Sequence, residues 1–116
     1  MFIHKIIIKL SKTNGEKNMD INKISDGEKL TIAITGRLDT NSSPKLEAEL
    51  RQSVNGVTEL VFDFSNVEYI SSAGLRVLLA AQKVMNRQGK MKLVGVSEDV
   101  MEVFEITGFA DILTIE

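Results

Sequence analysis

The chain has 116 residues, of which 43% are hydrophobic and 26% are charged. That length and composition are typical of one small globular domain. The net charge of −2 lacks the basic excess of nucleic-acid-binding proteins, so no nucleic-acid partner is predicted. The sequence has no cysteine and a single histidine, His4, which excludes disulfides, thiolate metal sites and a zinc site built on several imidazoles. We therefore predict neither a metal nor another cofactor.

The N-terminal 18 residues differ from the rest of the chain. The run MFIHKIIIKL is too short and too charged to span a bilayer, and it lacks a signal-peptide cleavage site, so we expect a cytoplasmic protein. Four lysines and one glutamate give residues 1–18 a charge of +3. We consider two interpretations: an extension upstream of a natural start at Met19, or an extra strand around Ile6–Ile8. The predicted domain covers residues 19–116.

The first half of this domain predicts a hairpin followed by a helix. Residues 20–25 and 30–35 alternate between polar and apolar, and a Gly-containing turn joins them. After the loop GRLDTNSS, Ser43 and Pro44 are typical of a helix start, with Ser43 as the N-cap. The apolar residues Leu46, Leu50 and Val54 then recur every four positions, and Gly56 ends the helix.

The second half alternates strands and helices. TELVFDFS (58–65) predicts a strand buried on both faces, and NVEYI is either a connector or an extension of that strand. A helix is expected over about 72–88, a strand over 90–96, a helix capped by Ser97 and ended by Gly108, and a last strand over 110–115. The fold class is therefore α/β: one small domain with a mixed, mostly parallel sheet and helices packed on it.

The junction YISSAGLRVLL places two serines where a strand ends and a helix begins. Binding sites in such sheets lie at the carboxyl ends of strands. The plain interpretation of Ser72 is a helix N-cap. A hydrolase nucleophile is disfavoured, because the motif is not G-x-S-x-G and only His4 could serve as the imidazole base. A phosphoryl acceptor fits the position, since a phosphate there would meet the positive end of the helix dipole.

The stretch FDFSNVEYISSAGLRVLLAAQ resembles the signature of the STAS domains of anti-sigma-factor antagonists. The matching positions in this chain are Asp63, Ser65, Val67, Ile70, Ser72, Ala73, Gly74 and Leu75. The earlier ITGRLDTNSSPKLEAEL is similar to the family's Gly-x-Leu-Asp loop and first helix, through Gly36, Leu38 and Asp39. The likeness covers about residues 19–116.

The resemblance implies a non-enzymatic protein regulated by phosphorylation. Family members bind an anti-sigma factor that is also a serine kinase and so free a sigma factor for transcription. The kinase then phosphorylates the antagonist on a serine that matches Ser72, which ends binding, and a serine phosphatase resets it. The partner-binding residues implied here are Asp39, Ser71, Ser72, Ala73, Gly74 and Arg76.

One departure from the family keeps alternatives open. Many antagonists have Asp before the phosphorylated serine, where this chain has Ser71, so Ser71 is an alternative phosphorylation site. The chain could instead be a constitutive STAS scaffold or a module associated with a transporter, and never be phosphorylated.

The sequence also indicates roles for other polar residues. Asp39 either caps its loop or contacts the partner. Asp63 is expected to accept backbone amides of the following loop. Arg76, Lys83 and Arg87 lie on one face of the predicted helix. We expect Lys83 and Arg87 to be solvated, whereas Arg76 is a candidate contact with the partner.

Overall fold

The structure, a computed structural model, describes the backbone of residues 5–10 and all atoms of residues 19–116. The expectations about His4 and the polar stretch at 11–18 lie outside the described residues. The natural start at Met19 stays a prediction.

Strands and helices alternate along the described chain. In order they are β1 (Lys5–Leu10), β2 (Met19–Asp26), β3 (Lys29–Leu38), α1 (Ser43–Ser53), β4 (Glu59–Ile70), α2 (Ser72–Gln88), β5 (Lys90–Val94), α3 (Glu98–Thr107) and a short 3-10 helix (Phe109–Asp111). The predicted helices are therefore present, and the predicted hairpin is β2–β3. The segment NVEYI proves to be a continuation of β4.

The strands form one mixed sheet in the order β1-β2-β3-β4-β5. The pairs β1–β2 and β2–β3 are antiparallel, whereas β3–β4 and β4–β5 are parallel and are connected through α1 and α2. This arrangement confirms the predicted α/β class and mixed sheet, although its four described strand pairs divide equally between parallel and antiparallel instead of being mostly parallel. In β1, Lys5 lies opposite Asp26 and Leu10 lies opposite Ile21.

The hydrophobic core lies on one face of the sheet. Alternate residues of the central strands enter it, and they meet the buried residues of all three helices. The strand members are Leu30, Ile32, Ile34, Leu60, Phe62, Phe64, Met91 and Leu93. On the opposite face Val61 is buried but lies outside this cluster, and its cross-strand neighbours Thr31 and Lys92 are half-buried. The prediction that β4 is buried on both faces therefore holds at its apolar centre, but the neighbouring strands are only half-buried on this second face.

Two further predictions need correction. The last segment is not a regular strand: the chain turns at Gly108 (φ 85°) into the 3-10 helix, and a bridge joins Ile115 to Leu93. Leu113 is buried through its contact with the core rather than through strand pairing. In α1 the N-cap is Ser42, one residue before the predicted Ser43.

Strands β3 and β4 carry the site residues at their carboxyl ends. Their parallel pairing shifts register on both sides of Gly36, whose φ of 105° favours glycine. Beyond the shift, Arg37 pairs with Tyr69 and Leu38 with Ile70. The loop after β3 and the start of α2 therefore leave the sheet side by side.

Candidate functional site

The loop after β3 is organised around Asp39. Its Oδ1 atom accepts hydrogen bonds from the backbone N–H groups of Asn41 and Ser42, both at 3.0 Å. The Ser42 hydroxyl donates to the Arg37 carbonyl at 2.7 Å and accepts from the Asp39 N–H at 2.9 Å. The loop-capping role considered for Asp39 is present.

The same bonds stabilise the charged form of Asp39. The backbone N–H of Ser42 is the main cause that holds the pKa of this carboxyl below its usual value. Partial burial opposes that effect, and the Ser42 hydroxyl, the Asn41 N–H and the positive charge of Arg37 support it. Asp39 is therefore a fixed negative charge at neutral pH.

Arg37 and Tyr69 flank this loop, although no motif in the sequence singles them out. The Arg37 guanidinium carbon lies 4.2 Å from the centre of the Tyr69 ring, in a cation–π arrangement. Its Nε atom is 3.8 Å from Oδ2 of Asp39. Both side chains are exposed, which puts an aromatic and a charged group at the rim of the site. Their pairing depends on the parallel register of β3 and β4, which no local pattern specifies.

The two serines at the start of α2 have different environments. Ser71 is the N-cap, with an extended backbone (φ −100°, ψ 176°), and its N–H donates to the Leu38 carbonyl at 2.9 Å. Its hydroxyl is buried and lacks a hydrogen-bond partner in the described part of the chain. Ser72 is the first helical residue and is exposed. The prediction that Ser72 is the N-cap was therefore wrong by one position.

Gly74 allows α2 to approach the end of β3 closely. A β-carbon at this position would lie 2.8 Å from Cγ1 of Ile70 and 2.9 Å from Cγ of Leu38. It would also lie 3.0 Å from the Leu38 carbonyl oxygen, which accepts the Ser71 N–H. The absence of a side chain at Gly74 therefore keeps the start of α2 against the residue that precedes Asp39.

These contacts bring the predicted site residues to one end of the sheet. Asp39 leaves the end of β3, and Ser71 to Gly74 leave the adjacent end of β4. Arg76 follows one turn later on α2 and is exposed. An open depression separates the starts of α1 and α2, and Thr40, Ser43, Ala73 and Arg76 contribute to its lining.

The other polar residues considered lie apart from this junction. Asp63 accepts the backbone N–H and the hydroxyl of Ser65, at 2.9 and 2.6 Å. The expected bond to a backbone amide is therefore present, but it lies within β4 rather than in a following loop. Lys83 and Arg87 are exposed farther along α2. Among residues 19–116 no group of three His, Asp or Glu side chains is arranged to hold a metal ion. No described helix has the length and hydropathy needed to cross a membrane.

Comparison with known proteins agrees with this arrangement. Residues 18–116 match the STAS domain family. The anti-sigma-B factor antagonist of Listeria monocytogenes is 34% identical over 97 residues, which cover 81% of this chain and 84% of that protein. An anti-sigma factor antagonist from Mycobacterium paratuberculosis has a similar crystal structure, with a TM-score of 0.77 at 20% identity over 84% of this chain and 85% of that one.

The Bacillus protein SpoIIAA has the same fold in both its unphosphorylated and phosphorylated forms. The TM-scores are 0.63 and 0.62, each at 17% identity over 96% of this chain, and cover 87% and 91% of those chains. From the match over residues 18–116 and the Listeria relative, this chain belongs to the STAS domain family, whose members include anti-sigma factor antagonists.

Proposed function

We propose that this protein is an anti-sigma factor antagonist whose binding is switched by phosphorylation of Ser72. The observation that carries the proposal is the contrast within the serine pair. The Ser72 residue is exposed at the first position of α2, whereas the Ser71 hydroxyl is buried. A kinase needs the hydroxyl oxygen to reach the γ-phosphorus of ATP, so the contrast favours Ser72 over Ser71.

The position of Ser72 allows a phosphate without loss of the fold. The first turn of α2 contains no acidic residue, and its first amides have no partner within the helix. A phosphoserine carries about −1.5 to −2 charges at neutral pH, which this end of the helix dipole favours. That SpoIIAA has been solved in both states supports the compatibility of this fold with a phosphate.

The partner in this proposal is an anti-sigma factor with serine kinase activity. The name of the Listeria relative supports an anti-sigma factor as the partner. The kinase would transfer the γ-phosphoryl group of ATP to the Ser72 oxygen, with release of ADP and the hydroxyl proton. A serine phosphatase would restore the hydroxyl. The antagonist itself would need no cofactor and would act in the cytoplasm.

The docking surface would comprise Asp39, Ser72, Ala73 and Arg76. Of the other two predicted contacts, the Ser71 hydroxyl and Gly74 are buried and would support this surface from beneath. An interface that closes over a neutral hydroxyl must desolvate a dianion once Ser72 is phosphorylated, and it brings that charge near the fixed charge of Asp39. A thousandfold loss of affinity corresponds to about 4 kcal/mol, which such a change can supply. Phosphorylation would therefore release the partner while the domain stays folded.

Calorimetry against the cognate kinase tests the switch. We expect Ser72→Ala to bind like the wild type and to resist phosphorylation, and Ser72→Asp to bind at least about tenfold more weakly because it adds one charge. Ser71→Ala is the matched control, which should bind and still be phosphorylated. Equal affinities of the Ser72→Ala and Ser72→Asp variants would contradict the proposal.

The second candidate is a constitutive scaffold or a transporter-associated module that is never phosphorylated. The observation that favours it is Ser71, which occupies the position where many antagonists carry Asp. Mass spectrometry of the protein isolated from its own cells separates the two. Phosphate on Ser72 supports the switch, and its absence under every growth condition favours the scaffold.

A further inference from the structure

The depression between the starts of α1 and α2 contains an unsatisfied buried hydroxyl. Ser43, the first residue of α1, is 2% exposed, and its Oγ lacks a hydrogen-bond partner in the described part of the chain. Ser43 lines the depression, which has a volume of about 380 Å³, together with Ala73 and Arg76 of α2. Buried hydroxyls are nearly always paired. The Ser43 hydroxyl is therefore an unused hydrogen-bonding group beside the depression.

Arg76 supplies a free positive charge at the same place. It is exposed and has no ion-pair partner within 4 Å in the region 19–116. Arg37 lies near the Asp39 carboxylate, and Arg51 is paired with Glu47 at 3.2 Å. The ion pair between Arg51 and Glu47 also partly neutralises Glu47, which is the acidic residue that lines the depression. The uncompensated charge of Arg76 favours an anion.

The start of α2 beside the depression also favours an anion. Its first turn has no acidic residue, whereas the first turn of α3 has two. The positive dipole end of α2 is thus uncompensated by its own side chains, while at α1 the Asp39 carboxylate already accepts the N–H of the N-cap residue Ser42. Ser72 precedes Arg76 by four residues, and side chains at that spacing lie on the same helix face.

We propose that Arg76 and the Ser43 hydroxyl bind the phosphate of phosphorylated Ser72 within this depression. This inference rests on the proposed phosphorylation of Ser72. The phosphate of the free antagonist would be held intramolecularly, with Arg76 as its counter-ion. It would be less accessible to a phosphatase than a phosphate that extends into solvent.

The test uses protein with phosphoserine installed at position 72 during translation, so that no kinase is needed. The second pKa of the phosphate is measured by ³¹P NMR titration. In the otherwise wild-type protein we expect this pKa to lie below the ordinary value of about 6. Arg76→Gln should raise it by about half a unit or more. Arg87→Gln, which removes an exposed arginine from the last turn of the same helix, should leave it unchanged.

The results separate the parts of the proposal. Identical phosphate pKa values in the Arg76→Gln and Arg87→Gln proteins would overturn the role of Arg76. A Ser43→Ala protein with an unaltered phosphate pKa and ³¹P chemical shift would overturn placement in the depression. Circular dichroism verifies that each variant is folded. A failure of the proposed switch would appear only as phosphate-independent binding to the anti-sigma factor, a separate measurement.

Discussion

Replacing Gly74 by alanine would put a methyl group where α2 meets the end of β3. The new carbon would lie 2.8 Å from Cγ1 of Ile70 and 2.9 Å from Cγ of Leu38. Carbon atoms prefer separations of about 3.5–4.0 Å, so both contacts are too short by roughly 0.6 to 1.2 Å. The third neighbour, the Leu38 carbonyl oxygen at 3.0 Å, is held by the Ser71 N–H and has little freedom to move.

Two opposing effects determine the magnitude for Gly74→Ala. Alanine is favoured over glycine within a helix by about 1 kcal/mol. Overpacking of a well-packed region costs about 1–3 kcal/mol. Because three atoms are crowded at once and one belongs to the backbone, we expect overpacking to dominate. With overpacking in the upper part of its range, about 2–3 kcal/mol, and a propensity gain of about 1 kcal/mol, the free energy of unfolding should fall by about 1–2 kcal/mol.

Urea denaturation followed by circular dichroism measures this change. A loss of 1–2 kcal/mol corresponds to a midpoint lower by about 0.5–1 M for a small domain. Ala80→Gly, at an exposed position of the same helix, is the matched control and should cost about 1 kcal/mol through propensity alone. A Gly74→Ala protein at least as stable as the wild type would refute the reasoning, because it would mean that α2 does not need this close approach.

Two other predictions concern the caps and the loop. Ser97→Ala should lower the free energy of unfolding by about 1 kcal/mol, because the Ser97 hydroxyl accepts the Val100 N–H. Ser71→Ala should lower it clearly less in the same urea titration, because the Ser71 side chain makes no capping hydrogen bond. Equal losses would contradict the assignment of the caps. Asp39→Asn should be less stable than the wild type by the same amount at about pH 7 and pH 5. Since folding lowers the Asp39 pKa, its stabilisation is complete above the unfolded pKa and is lost as the pH falls through the folded value. Urea titrations should therefore show the difference shrinking at about pH 3, and a constant difference would contradict the lowered pKa.

The helices were predictable because their signals are local. The periodic apolar residues of α2, together with Gly89 after its last residue, define its extent at Ser72–Gln88. The caps of α1 and α2 were misplaced by one residue because each of these two helix starts contains two serines, whereas the single serine at the start of α3 was placed correctly. The choice depends on contacts with β3: Ser71 donates its N–H to Leu38, and the Ser42 hydroxyl donates to Arg37. The first bond joins distant parts of the chain and the second depends on the conformation of a loop, so neither has a signature in a local sequence pattern.

The strands of the sheet were predictable, but the sequence did not indicate whether helices cover one or both of its faces. The apolar run of β4 indicates burial, yet it does not distinguish a second layer of helices from cover by neighbouring strands. Val61 reaches 6% exposure while it remains outside the core cluster. The same ambiguity explains why a strand was wrongly predicted at 110–115. Leu113 is buried against the core, and an isolated bridge pairs Ile115 with a residue of β5.

The contacts beneath Ser72 explain why a charge added there would act on the surface rather than on the fold. The start of α2 is fixed from below by the Ser71 N–H bond to Leu38 and by the close approach at Gly74. Neither contact uses the Ser72 side chain, so the same helix start would be present with or without a phosphate. A phosphate at Ser72 would add charge to the first turn of α2 without displacing the buried groups that hold it. The change in free energy would then fall on whatever approaches that turn, which is the condition for a reversible binding switch.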